Sequence, residues 1–229
     1  MTPEFDLGGI RPWGRRLSEY RAFFSIDRLP GIGPMLDVGA GPSSFTAEAT
    51  RQGAYVTAID PMYRQSARTI RTAVSATADA MRTGLARASY RFVWDHYGSP
   101  EALYRLRQEA LDLFLADFDI GRKEGRYRAE ALPTLSLPDH AFRLALCSHL
   151  LFLYSEQLDL EFHIRSIREL LRVADEIRIF PLIALNGAQS PHLDPVMKML
   201  DGSGAQAELV PVPFEFQKGS TRMLRVRRS

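Results

Sequence analysis

The chain has 229 residues, 45% hydrophobic and 24% charged, with a formal net charge of +2. That size and balance are those of one soluble globular domain able to bury a core, and so small a charge does not imply a nucleic-acid partner. The lone Cys147 excludes an internal disulfide, no apolar run approaches the ~20 residues of a membrane helix, and Met1–Asp6 lacks the basic start and apolar core of a secretion signal, so a cytoplasmic location is expected.

In chain order, Trp13, Leu17, Tyr20, Phe23 and Phe24 recur at helical spacing and predict a helix over one end of a sheet, within an N-terminal helical cap at 1–33. Met35 to Val38 reads as a buried strand. The turn Gly39-Ala40-Gly41-Pro42 follows, then a helix from about Ser43 to Gln52 that stops at Gly53. Tyr55 to Ile59 is the second strand, with Asp60 at its tip. The span 63–125 is too long for a simple crossover and reads as a crossover helix plus a helical insertion. Within it Arg64, Arg68 and Arg71 recur one turn apart, on a face either solvated or turned toward a substrate. Ser99-Pro100-Glu101 opens a helix with a cap, a first-position proline and a first-turn acid. Leu103, Leu106, Ala110, Leu113 and Phe114 form its apolar face, and Gly121 ends it.

A short strand near Tyr127 to Ala131 precedes a proline-rich loop, Leu132 to His140. Phe142 to Cys147 is nearly continuous in apolar character, as a central parallel strand should be. Leu160, Ile164, Ile167, Leu171 and Ala174 predict one face of a helix. Glu176 to Pro181 is a fifth strand, and Glu208 to Phe214 pairs antiparallel with Thr221 to Val226. Arg225-Val226-Arg227-Arg228 alternates like an edge strand at a solvated terminus. The class is α/β, a doubly wound sheet in a single domain over 1–229.

The strand, glycine turn, helix and acid-tipped strand suit an adenosine-containing cofactor. A carboxylate at the second strand's tip accepts hydrogen bonds from both ribose hydroxyls, and Gly39 and Gly41 let backbone approach a ligand. Asp37 bears on which cofactor. A dinucleotide site has a third glycine where Ser44 stands, and a carboxylate beside a pyrophosphate is repulsive, whereas beside the ammonium of a methionine moiety it is favourable. Asp37-x-Gly39-x-Gly41 with Asp60 resembles the first motifs of class I S-adenosylmethionine-dependent methyltransferases. Ile59-Asp60-Pro61-Met62-Tyr63, Ser148-His149-Leu150-Leu151-Phe152-Leu153-Tyr154 and Phe216-Gln217-Lys218-Gly219 look like a branch of that family without an assigned substrate.

The resemblance implies a Rossmann-like seven-stranded mixed sheet with an antiparallel last strand, and S-adenosyl-L-methionine as cofactor. It implies cofactor contacts from Asp37, Gly39, Ala40, Gly41, Asp60, Pro61, Met62, Glu130, Ala131 and Ser148. Met62 would pack on adenine, with Tyr63 the alternative, and Glu130 or the backbone of Ala131 would meet the adenine edge. Arg143 stands where the family commonly has Asp, and Ala174-Asp175-Glu176 replaces its Pro-Gly-Gly turn. His149, just after strand four, is the candidate base, the alternative being a histidine that caps or packs under the next helix. Tyr20, Tyr154 and His192 are candidates for the acceptor pocket. The five histidines show no ligand spacing, so no metal is expected. The function implied is in-line methyl transfer to a small molecule. RNA methylation, supported by the arginine face alone, and a non-catalytic cofactor-binding partner protein are the alternatives. The oligomeric state is not legible.

Overall fold

The computed structural model describes residues 12–228, so part of the expected cap at 1–33 lies outside the described residues. These residues form one seven-stranded sheet in the order β3-β2-β1-β4-β5-β7-β6. Its strands are β1 (Met35–Val38), β2 (Val56–Ile59), β3 (Tyr127–Arg128), β4 (Phe142–Ser148), β5 (Ala174–Phe180), β6 (Gln206–Pro211) and β7 (Arg222–Arg227). Pairing is parallel from β3 to β5, and β7 alone runs against its neighbours. This is the Rossmann-like mixed sheet with an antiparallel last strand that the resemblance implied.

Side-chain alternation divides the core between the two faces of the sheet. Met35, Leu144, Leu146 and Met223 pack with α1 (Leu17–Phe24) and α2 (Phe45–Arg51) on one face. Leu36, Val38, Ala145, Cys147, Ile177 and Val226 pack with α5 (Leu160–Val173) and α6 (Leu193–Asp201) on the other. Two long helices run between β2 and β3: α3 (Ala67–Arg87), capped by the Ser66 hydroxyl, and α4 (Pro100–Lys123), capped by Ser99. Their apolar faces join Tyr63 and Tyr127 in a third cluster beside β2 and β3.

Several local expectations are corrected. Gly121 does not end α4. It lies inside the helix because a Cβ there would come within 2.5 Å of the Tyr127 ring, and the stop falls at Gly125, whose φ of +80° is left-handed. In α5 the fully buried face is His163, Ser166, Ile167, Leu170 and Val173, with the expected Leu160, Ile164 and Leu171 half-buried against the same cluster, while Ala174 already belongs to β5. The third strand is only Tyr127–Arg128. The arginine-rich terminal strand is not an edge. β7 lies between β5 and β6, its Leu224 and Val226 buried, while Arg225 pairs with Glu208 and Arg227 with Glu176. Among the described residues no helix is long and apolar enough to cross a membrane.

Candidate active site

The carboxyl ends of β1 to β4 open on one cavity of about 510 Å³. Gly39 to Gly41 follow β1, Asp60 to Met62 follow β2, Glu130 to Leu132 come after β3, and Ser148 to Leu150 run from the end of β4, all on its wall. This is where an open parallel sheet places its ligands. Trp13, Arg15 and Tyr20 close one side. Met81 and Leu85 of α3, with Phe92 and Phe216, contribute others, and Leu153, Tyr154 and Leu158 add apolar surface.

The glycine turn is shaped by backbone rather than by space alone. Gly39 and Gly41 have φ of +62° and +55°. A Cβ on Gly39 would strike Leu150 at 2.7 Å, while one on Gly41 would meet nothing closer than 3.9 Å, so at Gly41 it is the left-handed φ that selects glycine. Half-buried Asp60 braces the turn. Its Oδ2 accepts from the Gly41 N–H at 2.9 Å and its Oδ1 from the Met62 N–H at 2.9 Å. Burial raises its pKa, and these two bonds oppose the rise. Each carboxylate oxygen retains a further lone pair.

Asp37 is fully enclosed and does not line the cavity. Tyr20 takes the wall position instead, its hydroxyl donating to Asp37 Oδ1 at 2.8 Å and its ring stacked on Phe45 at 4.1 Å. Among the described residues Asp37 Oδ2 has no hydrogen-bond partner, and burial pushes the carboxyl pKa up to about 8. Tyr63, the alternative to Met62, is likewise absent from the wall. It is buried, and its hydroxyl donates to the Gly41 carbonyl at 2.7 Å, fixing the turn from beneath.

His149 lies on the wall with an unusual backbone, φ +56°. Such a conformation costs a non-glycine residue ~1–2 kcal/mol and is offset here by an N–H bond to the Phe180 carbonyl at 2.7 Å. Its Nδ1 pairs with the Ser148 hydroxyl at 2.8 Å, and its ring lies 5.0 Å from that of Phe23. Burial, then the guanidiniums of Arg15 and Arg107, hold the imidazole pKa well below its usual value, so the ring is neutral. Glu130 is on the wall, its carboxylate taken by Arg128 at 3.1 Å and the Ser136 N–H at 2.8 Å. Pro61, Ala131 and Tyr154 also line the cavity. His192 does not: its Nε2 sits between the Ser155 and Leu158 carbonyls at 3.0 and 3.1 Å, and its ring packs on His163, which corrects its assignment to the acceptor pocket.

Beside the cavity lies a charged cluster that sequence reasoning missed. Glu19, Arg107, Tyr97 and Arg15 are all buried, with Trp13 against both guanidiniums. Arg107 grips both Glu19 oxygens at 2.6 and 2.5 Å. One signal was available: Arg107 stands in the stripe Leu103, Ala110, Phe114, where an apolar residue belongs. Arg64, in the short turn Pro61–Arg64, and Arg68 and Arg71 of α3 are all exposed, and Arg71 pairs with Asp112. Among the described residues no group of three or more His, Cys, Asp or Glu is placed to hold a metal ion.

The chain is 31% identical over 217 residues to the uncharacterized protein MJ0045 of Methanocaldococcus jannaschii, a match covering 94% of this chain and 95% of that one. It belongs to the MJ0045 family. No family model matches the chain. Among solved structures, this MJ0045-family chain is similar to the mitomycin 7-O-methyltransferase MmcR, at 17% identity and a TM-score of 0.47 over 93% of this chain and 54% of that one. The chain thus spans about half the length of MmcR. It is similar also to an S-adenosylmethionine-dependent methyltransferase of Aquifex aeolicus, at 15% identity and a TM-score of 0.39 over 87% of this chain and 82% of the other.

Proposed function

We propose that this chain is an S-adenosylmethionine-dependent methyltransferase acting on a small molecule by in-line displacement. The observation that carries the reading is the union, in one cavity, of the Gly39–Gly41 turn, the Asp60 carboxylate and the Ser148–His149 pair. The residues present fit the cofactor. Asp60 keeps acceptor capacity for two ribose hydroxyls, Gly39 and Gly41 expose backbone to the ligand, and Pro61 and Met62 offer apolar surface to adenine, with Glu130 and Ala131 at its edge.

S-adenosylmethionine supplies a methyl group already activated by its sulfonium. The protein's work is then to bind, orient and exclude water, and positioning alone can lower a barrier by ~7–11 kcal/mol. Tyr20 and Tyr154, with the leucines after β4, wall a space suited to a small apolar acceptor. In the tautomer whose Nδ1–H donates to the Ser148 hydroxyl, neutral His149 presents the Nε2 lone pair to receive the acceptor's proton. Asp37 acts from behind the wall through the Tyr20 hydroxyl.

Calorimetry with S-adenosylhomocysteine and with NAD tests the reading: the first binds, the second does not. Asp60→Ala should weaken binding of the first by ~2–4 kcal/mol, since charge-assisted bonds to two hydroxyls are lost. Unchanged affinity would remove the ribose role. Once an acceptor is in hand, His149→Ala should lower kcat by ~10²–10⁴-fold and leave cofactor affinity intact, whereas a purely structural histidine would lower the melting temperature and spare the rate.

A further inference from the structure

Arg15 is 7% exposed and lies on the cavity wall, and among the described residues its Nε has no hydrogen-bond partner. Its ties within the protein are a bond from Nη1 to the Trp13 carbonyl at 3.0 Å and the Trp13 ring, 5.0 Å from the guanidinium carbon. Among the described residues the nearest counter-charge is Glu19 Oε1, an ion pair at 3.9 Å from Nε but too far to accept a hydrogen bond.

Glu19 cannot serve it in any case. A carboxylate offers about four lone-pair sites. Oε1 accepts from Arg107 Nη2 and the Tyr97 hydroxyl, and Oε2 accepts from Arg107 Nη1 and the Arg16 N–H. Every site is taken. Two buried guanidiniums therefore face one carboxylate, and Arg107 holds it. Asp37, the other enclosed acid nearby, is given to Tyr20. Arg15 thus shares the Glu19 charge at a distance but gains no hydrogen bond from it, and a buried cation with unfilled donors is costly unless a ligand fills them.

We infer that Arg15 is the anion-recognition residue of the cavity and receives a carboxylate from the ligand side. The carboxylate belongs either to the acceptor, which is then an acid with an apolar body, or to the methionine end of the cofactor. This inference rests on the methyltransferase reading for the second source only. Planar guanidinium and carboxylate pair two bonds at once, which gives orientation as well as affinity. The same anion, placed beside Arg15, would offset the positive field that reaches His149, so binding an acid also favours proton uptake by that imidazole.

The test compares wild type, Arg15→Met and Arg15→Lys by calorimetry. In the first arm the ligands are S-adenosylhomocysteine and its decarboxylated analogue, which keeps the amine. In the second they are benzoate and benzamide, with and without saturating S-adenosylhomocysteine. A wild-type preference for the acid of about 10–100-fold in one arm, erased by Met and partly kept by Lys, supports the inference and names the source. No preference in either arm, or a preference that survives Arg15→Met, overturns it. Should the Met variant fail to fold, the wild-type preference and its reduction in Arg15→Lys decide the matter. Failure of S-adenosylhomocysteine to bind at all would sink the methyltransferase reading, while the benzoate arm would still judge Arg15.

Discussion

Glu19 and Asp37 are both carboxylic acids with no exposure to solvent, one in α1 and one in β1, yet their pKa values are shifted in opposite directions. Burial pushes both upward. At Glu19 the guanidinium of Arg107, its bonds and Arg15 overcome that push and bring the pKa down to about 2. At Asp37 the Tyr20 hydroxyl is the only bonded side-chain partner among the described residues, and the pKa is pushed up to about 8. Enclosure alone does not set the charge of a buried acid. The partner does, and the two sites show it within one cavity wall and its backing.

The comparison breaks most sharply if the partner of Glu19 is removed. Arg107→Met should destabilise the fold by ~3–5 kcal/mol, the cost of leaving a buried carboxylate uncompensated, read by urea unfolding. Arg107→Met together with Glu19→Gln should recover part of that loss. A single variant as stable as wild type would mean that Arg15 takes over the pairing.

A smaller effect is expected at the other acid. Tyr20→Phe removes the hydrogen bond to Asp37 and should cost ~1–3 kcal/mol, a buried acceptor being left without a donor. The third effect is the pH dependence. Asp37 has a folded value near 8, above its ordinary 3.8, so its contribution is fully present below about pH 4 and is lost as pH rises through about 8. Its slope is at most ~1.4 kcal/mol per pH unit. His149 and His163, whose values are lowered, slope the other way. The measurement is therefore the difference between wild type and Asp37→Asn from pH 5 to 8. The variant should gain stability relative to wild type as pH rises, and parallel curves would show that Asp37 does not titrate there.

The glycine turn, Asp60 and the alternation of strands and helices were legible because each is local: a few neighbouring residues carry the whole signal. The walls of the cavity were legible wherever they follow a strand end. The charged cluster was not, since Glu19, Tyr97 and Arg107 meet from separate segments and only Arg107 interrupts a local pattern. Tyr20 was placed at the acceptor pocket without a sign that it binds Asp37. His192 misled because a histidine after a strand end reads the same whether its ring meets a ligand or two backbone carbonyls. The position of β7 inside the sheet depends on long-range pairing, and an alternating arginine strand looks the same at an edge or one place in.

That strand order decides what the sheet presents to other chains. The long strands β4, β5 and β7, which carry buried Leu144, Ile177 and Leu224, are all interior, and the two margins are left to β3, only two residues long, and β6, which closes on Pro211 and ties Glu208 to Arg225. Short strands, prolines and charged side chains are poor templates for a further strand. The long buried strands are thus kept from any free margin, and loss of β6 would leave β7 as one.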